Sequence, residues 1–460
     1  MRACAPRSVR LIACALGLAT TVMFADARET PQSGRDASAI ERLEQWVDAV
    51  RAHLIGEADS YAAIAALWTH DELAEMFPYL EALLQLVDAP TRDDLSPSPQ
   101  VQLARPVPVP SQRRLYRLST VEIRPQEVER LRVLASLDWV RADPNRLLIR
   151  GAMLHTDVAM LTKVRAQAFQ PNSSAPTVRK LGQSVDERVI VRAPDADFRG
   201  IEYGEVHWDV ARTLLDRVRP DPAADAIVRQ WYRATMAFFG RDGAYAEAKP
   251  HFTHARQLFP NDPYLLFGYG CMQAELATPG VQEFAAATFL PRGMKMDIEL
   301  AGAQLRFAAG FFERALNADP TLVEVRVRLA KVRLDQGRAR EAMSMLQEVA
   351  PTITDDIVSY YAQLVTGDTA AALAQHEAAA AAYRKAAALF PTAQTPRLAL
   401  SLLFRSGGNA AAALTALSPI FSFPDDPMER PDPWWVYHKG EGRYASALVA
   451  DLIRAIPPAQ

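Results

Sequence analysis

Apolar residues recur at steps of three and four along most of this chain, a pattern that predicts amphipathic helices. The first such run is ASAIERLEQWVDAVRAHL, from Ala37, and the second is DELAEMFPYLEALLQLV, with a bend expected at Pro78. A proline-rich stretch, TRDDLSPSPQVQLARPVPVPSQ, follows and favours an extended linker over residues 91–113. We therefore predict a helical N-terminal region over residues 28–90, separated by this linker from the rest of the chain.

The sequence after the linker is mixed. Residues 114–205 begin as helix-compatible sequence and end, from Lys163 to about Tyr203, in a polar insertion whose fold the sequence leaves open. Within that insertion, ERVIVR is a short strand-like run. The helix predicted in HWDVARTLLDRVRP, from His207, is a candidate to pair with the earlier LLIRGAMLHTDV as a split helical repeat.

Beyond Trp208 the chain becomes self-similar. Three predicted helices share a small residue, an aromatic residue four positions later, an alanine three positions after that and a proline five further on. Small residues on one helical face let a neighbouring helix approach closely, the aromatic ring fills the space between helices, and the proline separates consecutive units. The residues that make up this pattern are Ala248, Phe252, Ala255 and Pro260, then Ala308, Phe312, Ala315 and Pro320, and finally Ala379, Tyr383, Ala386 and Pro391.

This pattern resembles the tetratricopeptide repeat family, in which each unit of about 34 residues is a helix–turn–helix pair. Units in its register start at Arg229, Val323, Tyr360 and Gln394. A further unit is split, because its second helix, with Ala308 and Phe312, follows its first helix, DPYLLFGYGCMQAEL, only after an insertion over about residues 277–301. The resemblance implies an all-α, right-handed superhelical solenoid over residues 206–431. The overall layout also resembles uncharacterised bacterial exported repeat proteins that end in an Asp-Pro-Trp-Trp segment.

The last part of the chain, DPWWVYHKGEGRYASALVADL from Asp432, departs from the repeat pattern. Trp435 stands where a small residue is expected, and Asp451 where a bulky one is expected. A terminal repeat has no successor to pack against, so a shortened helix and a polar outer face are expected there. We interpret residues 432–460 as a capping half-repeat in which Trp434 and Trp435 cover the apolar end of the preceding unit.

The start of the chain has the three parts of a secretory signal peptide. Residues 1–27 contain a basic beginning, the apolar run LIACALGLATTVMFA and small residues at Ala25 and Ala27. We expect cleavage near Ala27, which gives a periplasmic or secreted protein without a membrane span. The mature chain then keeps one cysteine, Cys271, so packing rather than an internal disulfide must hold the fold. The alternative is an uncut segment that holds an envelope structural protein at the membrane.

Composition and motifs give little support for chemistry. The net charge is −3, so nothing favours nucleic acid or an anionic membrane as a partner. His251 and His254 stand one helical turn apart, but the sequence offers no HExxH motif or cysteine partner to complete a metal site. It also contains no GxSxG motif and no GxxxxGK[ST] phosphate loop. We therefore predict no catalytic residues, no cofactor and no metal.

A different class of function stays open at this point. An enzyme or enzyme subunit would have its catalytic residues in 114–205 or in the 277–301 insertion, because the packing of repeats does not explain the sequence of those stretches. His155, Asp157 and His207 are the residues whose substitution tests that alternative.

The favoured function is the binding of a partner on one surface of the predicted solenoid. Stacked helical pairs form a superhelix whose concave side is lined by the first helix of each pair. In the repeat register, aromatic and basic side chains fall on or near that side and suit an extended peptide or a partner helix. The residues predicted to bind a partner are Gln230, Arg233, Tyr264, Phe267, Lys331, Tyr361 and Arg405. The family resemblance implies a non-catalytic scaffold or adaptor with protein or peptide partners.

Overall fold

The computed structural model describes residues 38–54, 70–92, 95, 123–169, 207–241, 245–287, 300–424 and 431–455. All regular secondary structure in these ranges is helical, which confirms the predicted all-α class. The predicted leader, most of the proline-rich linker and the polar insertion with ERVIVR lie outside the described residues. None of the described helices combines the length and the apolarity that a membrane span needs.

The N-terminal region is a group of helices packed around one tryptophan. Trp46 is fully buried, and its indole N–H donates a hydrogen bond of 2.9 Å to Nε2 of His155. Gly151 is required beside the indole, because a Cβ at this position would lie 2.4 Å from Cζ2 of Trp46. The helices are α1 (Ala39–Leu54), α2 (His70–Asp88), α3 (Pro125–Ala135), α4 (Asp138–Ala142), α5 (Pro144–Phe169) and α6 (residues 207–215). Pro78 lies inside α2.

Helices α5 and α6 lie in contact, as expected for the two halves of a split repeat. The two Nδ1 atoms of His155 and His207 are 2.7 Å apart, and both rings are fully buried. Leu214 on α6 also lies beside the Gly151 position on α5. The long insertion therefore separates two helices that pack together.

Helical pairs follow one another from residue 222 onward, which confirms the predicted solenoid of helix–turn–helix repeats. The pairs are α7 (Pro222–Arg241) with α8 (Tyr245–Leu258), α9 (Pro263–Leu276) with α11 (Ala301–Ala318), α12 (Val323–Asp335) with α13 (Ala339–Val349), α14 (Asp356–Ala372) with α15 (His376–Leu389), and α16 (Thr395–Ser406) with α17 (Ala410–Leu417). Helix α10 (Pro279–Ala287) lies in the insertion between α9 and α11.

The small and aromatic positions of the repeat pack directly on each other. A Cβ on Gly270 of α9 would lie 2.2 Å from Cε1 of Phe312 on α11, so only glycine lets the two helices of the split unit meet. Gly367 and Tyr383 repeat this arrangement in the α14–α15 pair, where the corresponding distance is 2.3 Å. The same side-chain fit thus pairs helices that are adjacent in sequence and helices separated by an insertion.

One hydrophobic core joins the N-terminal region to the first repeat. It contains Trp46 from α1, Trp208 from α6 and Phe252 from α8. The indole N–H of Trp231 on α7 donates a hydrogen bond of 2.8 Å to the hydroxyl of Thr156 on α5. The stack of repeats therefore continues into the N-terminal helices without a break in packing.

The C-terminal segment does not take the place predicted for it. Residues Pro433–Tyr444 form 3₁₀ turns with a kink at Gly440, and helix α18 (Ala445–Ala455) packs on α7 at the opposite end of the repeats. The last helical pair stays uncovered, since Leu402 is 65% exposed and Leu414 is 70% exposed. The interpretation of this segment as a cap on the last repeat is therefore wrong. The prediction extended the 34-residue period beyond residue 431, whereas the chain leaves the repeat there and runs back along the earlier repeats.

Candidate functional site

The candidate site is the inner surface of helices α7, α9, α12 and α14, which we call the groove. Residues 431–444, which we call the arm, lie along this groove from the later repeats toward the first one. The first helix of each pair supplies the side chains that hold the arm. The groove thus already contains a segment of polypeptide, folded in 3₁₀ turns.

Asp432 fixes the start of the arm. This carboxylate is buried and accepts hydrogen bonds from the Tyr360 hydroxyl at 2.6 Å, the Thr395 backbone N–H at 2.7 Å and the Trp434 backbone N–H at 3.0 Å. Burial and the nearby carboxylate raise the pKa of Tyr360, which keeps this phenol protonated as a donor. The next backbone carbonyl, of Pro433, accepts a 2.8 Å hydrogen bond from the Tyr361 hydroxyl.

Aromatic rings form the centre of the contact. The rings of Trp434 and Tyr437 stack with centroids 4.4 Å apart, and both meet Tyr361 edge-on. The guanidinium of Arg328 lies 4.2 Å from the centroid of the Tyr437 ring, a cation–π contact. Because Tyr437 is 3% exposed, the arm supplies part of the core between the repeats here.

Glu324 on α12 joins the groove to the arm by charge. It accepts hydrogen bonds of 2.8 Å from Nε of Arg328, in the same helix, and from Nη1 of Arg443, in the arm. Burial alone would raise the pKa of Glu324, but the two guanidinium groups outweigh it and lower this pKa. The carboxylate is therefore held ionised between two cations that are themselves almost fully buried.

A second ion pair holds the end of the arm. Nε of Arg233 on α7 donates 3.0 Å hydrogen bonds to both carboxylate oxygens of Glu441, and its guanidinium lies 3.6 Å from the Tyr264 ring centroid. Burial raises the pKa of Glu441, although Arg233 partly offsets this effect. Acid should therefore weaken this contact before it weakens the one at Glu324.

Two glycines let the arm approach the helices closely. Gly440 has φ +52°, and a Cβ on it would lie 2.9 Å from Sγ of Cys271. A Cβ on Gly442 would lie 2.6 Å from the backbone nitrogen of Arg241. Burial raises the pKa of Cys271 to about 12, so this thiol stays protonated under the glycine.

The seven residues predicted to bind a partner fall into three groups. Arg233 and Tyr361 contact the arm directly. Tyr264 and Phe267 lie one layer below it, beneath the guanidinium groups of Arg233 and Arg328. Gln230 is half-buried on α7, Lys331 pairs with Asp335, and Arg405 is exposed on α16.

Sequence reasoning missed the arm and its polar partners. Arg328, one of these partners, is almost fully buried on α12 against the Tyr437 ring of the arm. Gly440 and Gly442 flank Glu441 and precede Arg443, and this sequence has no function in a capping helix. That departure from the repeat pattern was the signal that could have found the arm.

The histidines considered for chemistry are packed inside the fold. His155 accepts from Trp46 at Nε2, so its neutral ring carries a proton on Nδ1 and donates it to His207. Burial lowers the pKa of His155 well below its usual value. His251 is buried against Trp208 and Phe239. Across the described ranges, no group of three potential metal-ligating side chains comes together.

Asp157 contacts a histidine, and His254 contacts an aspartate. Nε2 of His53 lies 3.0 Å from a carboxylate oxygen of Asp157, which links α1 to α5. His254 contacts Asp216 beyond the end of α6. These contacts join helices of the N-terminal region and the first repeat.

The comparison with protein families agrees with the helical pairs described above. The family profile described as a tetratricopeptide repeat matches residues 303–366, which span α11, α12, α13 and part of α14. No curated protein matches the chain. Among solved structures, the crystal structure of yeast Tom70 is similar, with 11% identity, a TM-score of 0.30, and coverage of 90% of this chain and 89% of that chain. Residues 303–366 are therefore similar to the tetratricopeptide repeat family, and the glycine–aromatic pair of Gly367 and Tyr383 fits the same helix–turn–helix repeat.

Proposed function

We propose that this protein is a non-catalytic, exported scaffold or adaptor that binds protein or peptide partners through its concave groove. Tetratricopeptide repeats generally serve as interaction surfaces, in which stacked first helices form an extended binding face. The residues proposed for partner binding remain Gln230, Arg233, Tyr264, Phe267, Lys331, Tyr361 and Arg405.

One observation carries this proposal: the side chains of the groove hold a segment of 3₁₀ turns that belongs to none of the helical pairs. Those side chains supply the three elements of peptide recognition, namely polar anchoring at one end of the segment, an aromatic centre and paired charges. A surface that served only to pack helices would not need ionised groups directed inward from α7 and α12.

Part of the concave side remains open beside the arm. Leu398 is 46% exposed on α16, and Arg405 is exposed on the same helix. Lys331 keeps its ammonium beside Asp335. A partner can reach Leu398 and Arg405 while the arm stays in place.

Site-specific photo-crosslinking in the native host tests the groove. A photoreactive amino acid replaces Lys331 or Arg405 on the concave side, or Glu348 on α13, the second helix of its pair, as the matched exposed control. We expect protein adducts from the two groove positions in at least fivefold excess over the control. Adducts from Glu348 alone, or equal yields from all three positions, would overturn the proposal.

Export rests on the sequence of residues 1–27 and has its own test. Intact-mass measurement of the native protein should give a chain that starts at Arg28. A mass that starts at Met1 would instead support the membrane-retained alternative.

A further inference from the structure

We infer that the arm is a resident ligand of the groove, and that the partner presents a segment of the same chemistry and the same 3₁₀ turns, which takes the arm's place. This inference rests on the proposed function. It adds the sequence by which the partner is recognised, and it states that the partner competes with the arm for the groove. The expected segment carries two aromatic residues three positions apart, followed three positions later by glycine, acid, glycine and base.

The glycines are the most restrictive part of this sequence. A side chain at the Gly440 position would meet Cys271, and one at the Gly442 position would meet the backbone of α7. Backbone atoms cannot move aside as the end of a flexible side chain can. A partner that approaches α7 and α9 as closely as the arm does must therefore have glycine at both positions.

The charges fix the direction of the bound segment. Arg233 on α7 receives the acid, and Glu324 on α12 receives the base that follows two positions later. A segment that ran the other way would bring like charges together in a site where Arg443 is only 6% exposed. Like charges brought together at such depth are strongly unfavourable, so the order acid before base is part of the recognition.

The aromatic pair supplies affinity. Trp434 and Tyr437 face a surface made by Tyr361 and Arg328, which suits aromatic rings through edge-on and cation–π contacts. Aromatic side chains in such desolvated sites commonly dominate binding energies. The partner's segment is therefore expected to present aromatic residues at both positions.

Competition with an attached ligand sets a high requirement for the partner. A tethered segment acts at an effective concentration of roughly millimolar, so a partner that only reproduced the arm's contacts would lose. The arm leaves Leu398 and Leu402 exposed on α16, beyond the point where Asp432 meets Thr395. Partner residues that precede the aromatic pair can cover this apolar strip and so supply contacts that the arm lacks.

A labelled peptide of residues 431–444, measured by fluorescence anisotropy, tests this inference on the full-length chain. Two variants loosen the arm and leave the groove unchanged: Glu441→Arg opposes Arg233, and Gly442→Val clashes with α7. Ser446→Arg, at an exposed position just after the arm, is the matched control. We expect the peptide to bind both loosened variants at least tenfold more tightly than it binds the wild-type chain or the control.

A charge exchange shows where the peptide binds. The chain variant Arg233→Glu should bind a peptide that carries Glu441→Arg at least tenfold more tightly than the native peptide. Equal affinity for both peptides would place binding outside the groove and overturn the inference.

A measurement on the wild-type chain covers the case in which variants misfold. Excess native peptide should increase hydrogen exchange of the chain's own residues 431–444, and the Glu441→Arg peptide should not. Unchanged exchange, or equal peptide affinity for the wild-type chain and both loosened variants, would overturn the competition. Crosslinks from Lys331 and Arg405 without peptide binding would leave the scaffold proposal standing and overturn this inference alone.

Discussion

The charge cluster at Glu324 allows a prediction whose size follows from burial. Glu324→Gln keeps the shape of the side chain but removes the negative charge between Arg328, 2% exposed, and Arg443, 6% exposed. Loss of one partner from a buried ion pair commonly costs about 3–5 kcal/mol, because the remaining charge is left uncompensated. Here two cations lose the same partner, so we expect the free energy of unfolding to fall by about 4 kcal/mol.

The size of the protein decides the assay for this variant. Unfolding entropy grows by about 2 cal/mol/K per residue, so in a chain of this length 4 kcal/mol shifts the melting temperature by only about 4 °C. Urea titration, which reports the free energy directly, is the better measurement. Glu313→Gln is the control, because Glu313 pairs with Arg333 but is 48% exposed, and surface pairs contribute about 0–1 kcal/mol. A loss below 1 kcal/mol for both variants would refute the reasoning about burial.

Three further predictions concern packing, pH and thiol reactivity. Gly270→Val forces a Cβ against the aromatic ring of the paired helix and should cost about 3 kcal/mol in urea titrations, whereas Gly310→Ala, whose methyl meets nothing within 4 Å, should add about 0.5–1 kcal/mol. Burial lowers the pKa of His251 from 6.5 to about 3, so between these values the unfolded chain binds one more proton and stability should fall with decreasing pH by about 1.4 kcal/mol per unit. Urea titrations from pH 7 to 5 should show a smaller dependence of stability on pH for His251→Gln than for the wild-type chain, and equal slopes would contradict the burial argument. A thiol reagent at pH 8 should label Cys271 only as fast as the chain opens, and rapid labelling of the native protein would show that the thiol is accessible.

The repeats could be predicted because each unit uses the same residue types at the same positions to pack its two helices. Gly270 and Phe312 stand in the register of one unit although an insertion separates them, and this register was enough to pair their helices. Position in a periodic pattern determines which face of a helix is buried, so the same inference held for Gly367 and Tyr383. The local pattern was therefore sufficient to predict the fold of residues 222–424.

The course of the arm could not be predicted in the same way. Its contacts depend on pairs far apart in sequence, such as Arg233 with Glu441, and no periodic signal links the two. The sequence offered the pairing of the helices that carry His155 and His207, but it did not indicate that the two buried rings contact each other. Periodicity indicates which face of a helix is buried, but it does not indicate which distant charge will meet that face.

The arm also determines when the groove is filled during synthesis. Each helical pair can form from local contacts soon after it leaves the ribosome, whereas the contact between Arg233 and Glu441 spans 208 positions. Helix α18, which packs on α7, emerges after all five helical pairs of the described repeats. The groove of the nascent chain therefore stays unfilled until the arm has been translated, and the repeats reach their final packing only after that point.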